Sequence, residues 1–384
     1  MKSFKHIGNH KMKLTSLILS NDENTSIRIL VMIGIAWLPL AILTLIDGTL
    51  FNNDITISFI KDAAPYVRCL IVIPLLVMAD NVIEPMMARV INYLKTSGLV
   101  PDAEKESLND DVEHMAHLMN NKWILLVLFM MAILFSFLVQ SDYDDMWTER
   151  GVTSWMFRLE NGEVNETIAG TWFLLVTSPL VSFLLYRWVW RFVAWSIFLK
   201  RVSRIKLELR ASHTDLAGGL GVISAGHSLF IVLFFILAIL LSSDLAANML
   251  YEDEVMVNVK LAAVVFIIIS IILLIMPLMF FTGKLIHLRH NALAEYGALQ
   301  NKISHDFHKR WIKDEATDLV DSMQPSAMAD YSAVYENVSN MRLVPIDTRL
   351  IVVMSVTLLI PFLPLALVET SVLDILQKIG GILI

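Results

Sequence analysis

Cysteine is almost missing from this chain: Cys69 is the single one in 384 residues. No intrachain disulfide and no cysteine-based metal site can be built from it. Set within an apolar run, it reads as a buried, unreactive thiol. Charge is scarce too, since Asp, Glu, Lys and Arg make up 17% of the residues, against about 25% in a soluble domain. No Walker Gly-Lys-Ser/Thr loop occurs, nor a GxGxxG, GxSxG or HExxH string, nor a paired-aspartate motif inside an apolar run. No catalytic apparatus is recognisable, so an enzyme is not the expected reading, and no cofactor is expected. Lys and Arg number 30 against 37 acids, a net charge of −7, and no basic block of the kind nucleic acid requires is present. Lys2, Lys5, Lys11 and Lys13 precede only a short apolar stretch, Leu14 to Leu19, too brief for a signal peptide.

Hydrophobic residues, by contrast, fill 56% of the chain and gather into long runs that a globular core would not need. About 20 residues at 1.5 Å each cross a hydrocarbon layer of about 30 Å. Seven runs qualify, near residues 29–46, 64–83, 123–140, 171–190, 228–243, 259–281 and 350–368. The expected fold is an all-α, polytopic membrane protein of about seven transmembrane helices. Residues 1–28 form an N-terminal cytoplasmic segment, and 29–384 a single transmembrane domain. Cytoplasmic helices are expected near 101–121, 192–210 and 284–320. The first opens with Pro101, Asp102 and Glu104, a helix-start pattern. The second interleaves Lys200, Arg201, Arg204, Lys206 and Arg210 with Ile197, Leu199, Val202, Ile205, Leu207 and Leu209, as on a helix at an anionic surface or a helical extension of the fourth span.

Charge orients this bundle. With the N-terminus inside, the cytoplasmic segments hold 24 Lys and Arg residues and the outside segments four, Lys61, Arg150, Arg158 and Lys378. That asymmetry is the positive-inside pattern, and an odd number of spans puts the C-terminus outside. The larger outside loops, 141–170 and 244–258, carry seven and four carboxylates. Tyr186, Trp188, Trp190 and Trp195 sit where the fourth span leaves the inner leaflet and read as an aromatic belt. Arg68 and Lys260, near span ends, read as interface anchors.

Four charges fall at membrane depth. Asp80 and Glu84 on the second span are four apart, as are Arg187 and Arg191 on the fourth, so each pair shares a helix face. Both spans start at the outer surface, and their charges lie at matching depths of about 24 Å. A charge in hydrocarbon costs several kcal/mol unless paired or hydrated. The expectation is a ladder of Asp80 and Glu84 with Arg187 and Arg191 near the inner mouth, either an ion or proton path or a static clamp between helices. Pro39, Pro74, Pro179, Pro277, Pro361 and Pro364 place helix breakers inside five spans.

Eight of the ten histidines form close pairs: His6 with His10, His114 with His117, His287 with His290, and His305 with His308. Spacings of three or four put each pair on one helix face, the arrangement a metal or pH-sensing site needs. His213, Asp215, Gly218, Gly219 and Gly221 lie in a glycine-rich string, residues 213–221, between the fourth and fifth spans. Its exposed amides could hold an anion, or the glycines could simply let the chain turn back into the membrane.

At this string the sequence resembles a family of uncharacterised bacterial multi-spanning inner-membrane proteins with a His-Pro-Asp-x-x-Gly-Gly-Leu-Gly loop, here carrying Thr214 in place of the proline. Glu295-Tyr296-Gly297-Ala298-Leu299, Lys309-Arg310-Trp311 (with Arg310 inserted) and Met341-Arg342-Leu343-Val344-Pro345 are also similar. The resemblance implies a bacterial inner (plasma) membrane and no particular activity.

Two functions follow from these features. The first is a channel or transporter for an ion or small solute, built from intramembrane charge and broken spans. The alternative is a membrane-anchored signalling or assembly component that binds a cytoplasmic partner through its helices. The expected partners are the lipid bilayer, further copies of the chain and a cytoplasmic protein, with nucleic acid excluded.

Overall fold

The structure is a computed structural model that describes residues 25–52, 54–150, 153–160, 163–251, 256–313 and 323–365. Helix dominates it. A hairpin of β1 (Phe157–Glu160) and β2 (Glu163–Glu166), paired antiparallel with Phe157 opposite Glu166, is the one sheet among the described residues.

Among the described residues, six helical rods are long and apolar enough to cross a bilayer: α1 (Thr25–Ile46), α2 (Ala63–Thr96), α3 (Asp102–Leu138), α4 (Ile168–Val202), α5 (Gly221–Tyr251) and α6 (Met256–Phe307). Their side chains leave the backbone as the only polar group along most of each run, and a helix satisfies that backbone internally. The chain is therefore a multi-pass helical membrane protein. The seventh predicted run falls on a shorter apolar helix, α8 (Thr348–Phe362), preceded by α7 (Met323–Ser339). The rest of that run, the C-terminal residues and the pair His6 and His10 lie outside the described residues.

Burial sorts the rods. In α2 and α4, 44% of the apolar window is buried inside the bundle, against 11% in α3. The first two form the centre, and α3 lies on the flank with Val127, Met130 and Leu134 facing outward. α3 itself breaks at Asn121, whose extended backbone separates an amphipathic part from an apolar one. The amphipathic part buries Leu108, Val112 and Met115.

α2 and α4 begin alike and run the same way. Asp62 caps α2 by accepting from the Ala64 N–H, and Thr167 caps α4 by accepting from the Gly170 N–H. Each then widens into a π-helical turn, Val67–Val72 and Phe173–Thr177, and returns to α-helix at a proline, Pro74 and Pro179. Proline lacks an N–H and its ring presses on the carbonyl four residues back. A π turn relieves that contact by shifting the ladder one residue. α6 and α8 answer their own prolines, Pro277 and Pro361, with 3-10 turns instead, Met276–Phe281 and Ile360–Phe362.

The two ends of the bundle differ. Beside the hairpin, a small second core of Leu40, Ile57, Phe59, Trp155, Ala169 and Phe173 closes one end. Gly170 is essential to it, because a Cβ there would lie 2.1 Å from the Met156 carbonyl oxygen. The other end, here the basic side, carries the amphipathic part of α3, residues 203–220 and the polar half of α6.

Three expectations about the fold are corrected. The helix expected near 192–210 ends at Val202, and residues 203–210 are extended and turn-like. The alternation of buried Ile205 and half-buried Leu207 and Leu209 with exposed Arg204, Lys206, Glu208 and Arg210 has the period of two that belongs to an extended chain. Half of the aromatic belt is interior: Trp188 and Trp195 are 2% and 0% exposed, because α4 is central, while Tyr186 and Trp190 are half-buried. Arg68 is more than an interface anchor, for it pairs with Asp244 at 3.1 Å and lies over the Phe173 ring.

Candidate functional site

Asp80 lies 17 residues past the start of α2, about 26 Å along a helix rising 1.5 Å per residue. Arg187 and Arg191 reach the same level of α4. Asp80 Oδ1 accepts from Arg191 Nη1 at 2.7 Å and from Arg187 Nη2 at 3.4 Å. The other amino group of Arg191, Nη2, donates to Glu84 Oε1 at 2.5 Å. One guanidinium thus spans both carboxylates of α2, a geometry its planar fork suits. Arg191 also stacks over the Trp188 ring at 4.8 Å, and Trp188 Nε1 donates to the Leu76 carbonyl at 2.8 Å. That ring fixes α4 against α2 and the guanidinium in its plane.

A fifth member comes from outside the predicted set. Arg28, in the first turn of α1, donates from Nη2 to Asp80 Oδ2 at 3.3 Å. No sequence signal pointed to it, since Arg28 precedes the first apolar run and reads as a loop charge. The network therefore joins three helices around Asp80. Exposure falls along it from Glu84 at 32% through Arg191 at 12% to Arg187 at 5% and Asp80 at 4%. It is open at the basic side and closed toward the bundle centre.

The glycine-rich loop on the same side organises itself around a different acid. Asp215 accepts from the backbone N–H groups of Ala217 (2.9 Å), Gly219 (3.1 Å) and Gly221 (2.8 Å), and His213 Nδ1 lies 2.8 Å from its Oδ1. The amides that could hold an outside anion hold this carboxylate. Burial pushes the Asp215 carboxyl up, but the three amide donors and His213 together hold it below the usual carboxylate value. Leu216, Gly218 and Gly219 adopt positive φ, and a Cβ on Gly221 would sit 3.0 Å from Asp215 Oδ2. The wrapped loop and the extended residues 203–210 before it then tie four parts of the chain together. Tyr93 of α2 donates to the Gly219 carbonyl, Lys284 of α6 to the Ile205 carbonyl, the Glu208 N–H to Leu99 and the Arg342 N–H to Leu216.

The histidine pairs, candidates for a metal or pH-sensing site, lie on the basic-side helices. His114 and His117 lie on the amphipathic part of α3. His287 and His290 lie on α6, as does His305, while His308 opens the π turn that follows it, His308–Ile312. All six are exposed, and each pair brings two ring nitrogens without a third ligand. Among the described residues no three His, Cys, Asp or Glu side chains are grouped to hold a metal ion. Helical spacing supplies two donors on one face, whereas a structural site closes with four, and among the described residues no further donor is grouped with these pairs. His227, which had drawn no attention in the sequence, is fully buried and places Nε2 2.6 Å from the Leu274 carbonyl, joining α5 to α6.

No family model matches the chain, and neither a curated protein nor a solved structure matches it.

Proposed function

We propose that the chain is an inner-membrane channel or transporter that moves an ion or small solute, with the Arg28–Asp80–Arg187–Arg191–Glu84 network as its charged element. One observation carries this reading: a carboxylate at membrane depth is shared by three guanidiniums and leads outward to a half-open second carboxylate. A clamp between two helices needs one acid and one base, and burying even that pair brings little net stability. A shared carboxylate exchanges partners through small movements of α1 or α4, which is what passing a proton or ion requires. The π turns above the network supply the local give. The basic side faces the cytoplasm by the positive-inside pattern, with α8 as a seventh crossing, and the loop resemblance supports a bacterial inner membrane.

The test is flux into liposomes holding the purified chain, loaded in turn with protons, monovalent cations and anions. Asp80→Asn keeps the shape and removes the charge, and it is expected to cut flux at least tenfold while the protein still elutes as a folded species. Equal flux from both proteins, or none from the wild type for any ion, overturns the reading.

A second reading, a membrane-anchored assembly component, rests on α6. Its polar half leaves the bundle and pairs with α7, where Tyr296 stacks on Tyr331 at 6.3 Å and Arg289 donates to the Ser339 carbonyl. Leu299 and Ile312 are exposed on this arm. Removing residues 295–335 while leaving flux intact would separate a docking arm from a transport core.

A further inference from the structure

α6 changes from apolar to polar within a few residues. Met276 and Met279 are about half exposed on its surface, side chains that suit hydrocarbon. Lys284 and His287 follow one to two turns later. At this level a groove of about 520 Å³ opens between residues 206–209 and residues 280–288. Both walls mix polar and apolar side chains: Lys206 stands beside Leu207 and Leu209 on one, and Lys284 and His287 beside Phe280 and Leu288 on the other. No acid is among its lining residues. Glu104 is near enough for Lys284 to feel its charge but does not line the groove. Lys200 adds a further cation at the edge, 5.8 Å from the centre of the Phe280 ring. Lys284 donates one N–H to the Ile205 carbonyl, which fixes its ammonium while leaving two donors for another partner.

We propose that this groove holds the headgroup of an anionic phospholipid from the leaflet on the basic side. The phosphate lies between Lys206 and Lys284, with His287 as a further donor, and the first acyl carbons run along Leu207, Phe280 and Leu288. A free anion would gain nothing from Leu207, Phe280 and Leu288, whereas a lipid uses the lysines and these apolar side chains together. Basic recesses between spans on that leaflet are the places where anionic lipids gain most. The lipid would rest against the extended residues 206–209 and α6 at once, bracing the junction at which α6 leaves the membrane. This site stands independently of the transport reading.

The test uses the full chain purified in detergent and mixed with phosphatidylglycerol or phosphatidylcholine of the same acyl chains, with retained lipid read by native mass spectrometry. Phosphatidylglycerol is expected to be retained in preference. Lys206→Gln, at an exposed position, should lower that retention about fivefold, which is one lysine's share of about 1 kcal/mol, without changing the unfolding midpoint of the lipid-free protein. Lys284→Gln should lower it as well. Equal retention of the two lipids overturns the proposal, as does unchanged phosphatidylglycerol retention in both variants. Displacement of the lipid by millimolar inorganic phosphate would also overturn it, because the groove would then serve a free anion.

Discussion

Asp215 takes the place in its loop that a bound anion takes in a phosphate loop, and its removal should be felt locally. Asp215→Asn keeps one acceptor but loses the charge shared by three amides. Charge-assisted hydrogen bonds of this kind are worth about 1.5–3 kcal/mol. Exchange of the Ala217, Gly219 and Gly221 amides is expected to speed up by about tenfold or more in hydrogen–deuterium exchange at neutral pH, while amides of the bundle centre stay protected. Because the folded carboxyl titrates below its unfolded value of about 3.9, its contribution is complete above that pH and disappears as the pH falls through the folded value. The loop should therefore stay closed at mildly acidic pH and loosen only below about pH 4. Around Asp80 the balance differs, for removing one member strands its partners. Asp80→Ala takes the buried carboxylate from Arg28, Arg187 and Arg191, of which Arg191 keeps Glu84, and should cost about 3–5 kcal/mol in denaturant unfolding in detergent. Glu84→Gln should cost less, since the Glu84 side chain is 32% exposed.

Helix geometry made part of this site readable in the sequence. A spacing of four fixes a common face, so Asp80 with Glu84 and Arg187 with Arg191 could be matched by depth alone. The same rule says less for His114 with His117, His287 with His290 and His305 with His308, because a shared face supplies only two donors and says nothing of a third. Arg28 could not be foreseen, because nothing local ties the start of one helix to the middle of another; that contact is tertiary. Residues 203–210 misled for a different reason. Their basic residues follow a span and invite a helix, yet their period of two was the better guide. The paired π turns were equally hidden, since a proline announces strain but not how the backbone relieves it. They make a prediction of their own. A π turn holds one residue more than the α-helix around it, so deleting one residue within Phe173–Thr177 restores a regular ladder and keeps Arg187 and Arg191 facing α2. Deleting one within residues 182–186 turns both arginines about 100° away. The first deletion is expected to fold with a nearly normal unfolding midpoint, and the second to lose the ion pairs and destabilise the bundle. Equal damage from the two would contradict the assignment of the π turn.

Across the whole molecule, orientation is the property most open to direct measurement. Cys69 is fully buried and should not react with an impermeant maleimide while the protein is folded, so the chain supplies its own silent background. Single cysteines at Lys61 and Arg158, beside the hairpin, should label on intact spheroplasts. One at Lys206 should label only after the membrane is opened. The reverse pattern would invert the bundle and with it the side from which Glu84 is reached. The multi-pass character was plain from the apolar runs, because hydrocarbon leaves the backbone few alternatives. Which face of each rod turns inward was not plain, as the burial of Trp188 and Trp195 demonstrates, since lipid and protein interior reward much the same side chains.

The 3-10 turn at Pro277 has a mechanical side. Beyond it α6 extends 26 further residues, Thr282–Phe307, a stiff arm of about 39 Å. A bend of only about 10° at the turn, smaller than an ordinary proline kink, would sweep the tip through roughly 7 Å. Slight adjustments inside the membrane are thus magnified into displacements large enough to be felt by anything that touches the end of the arm.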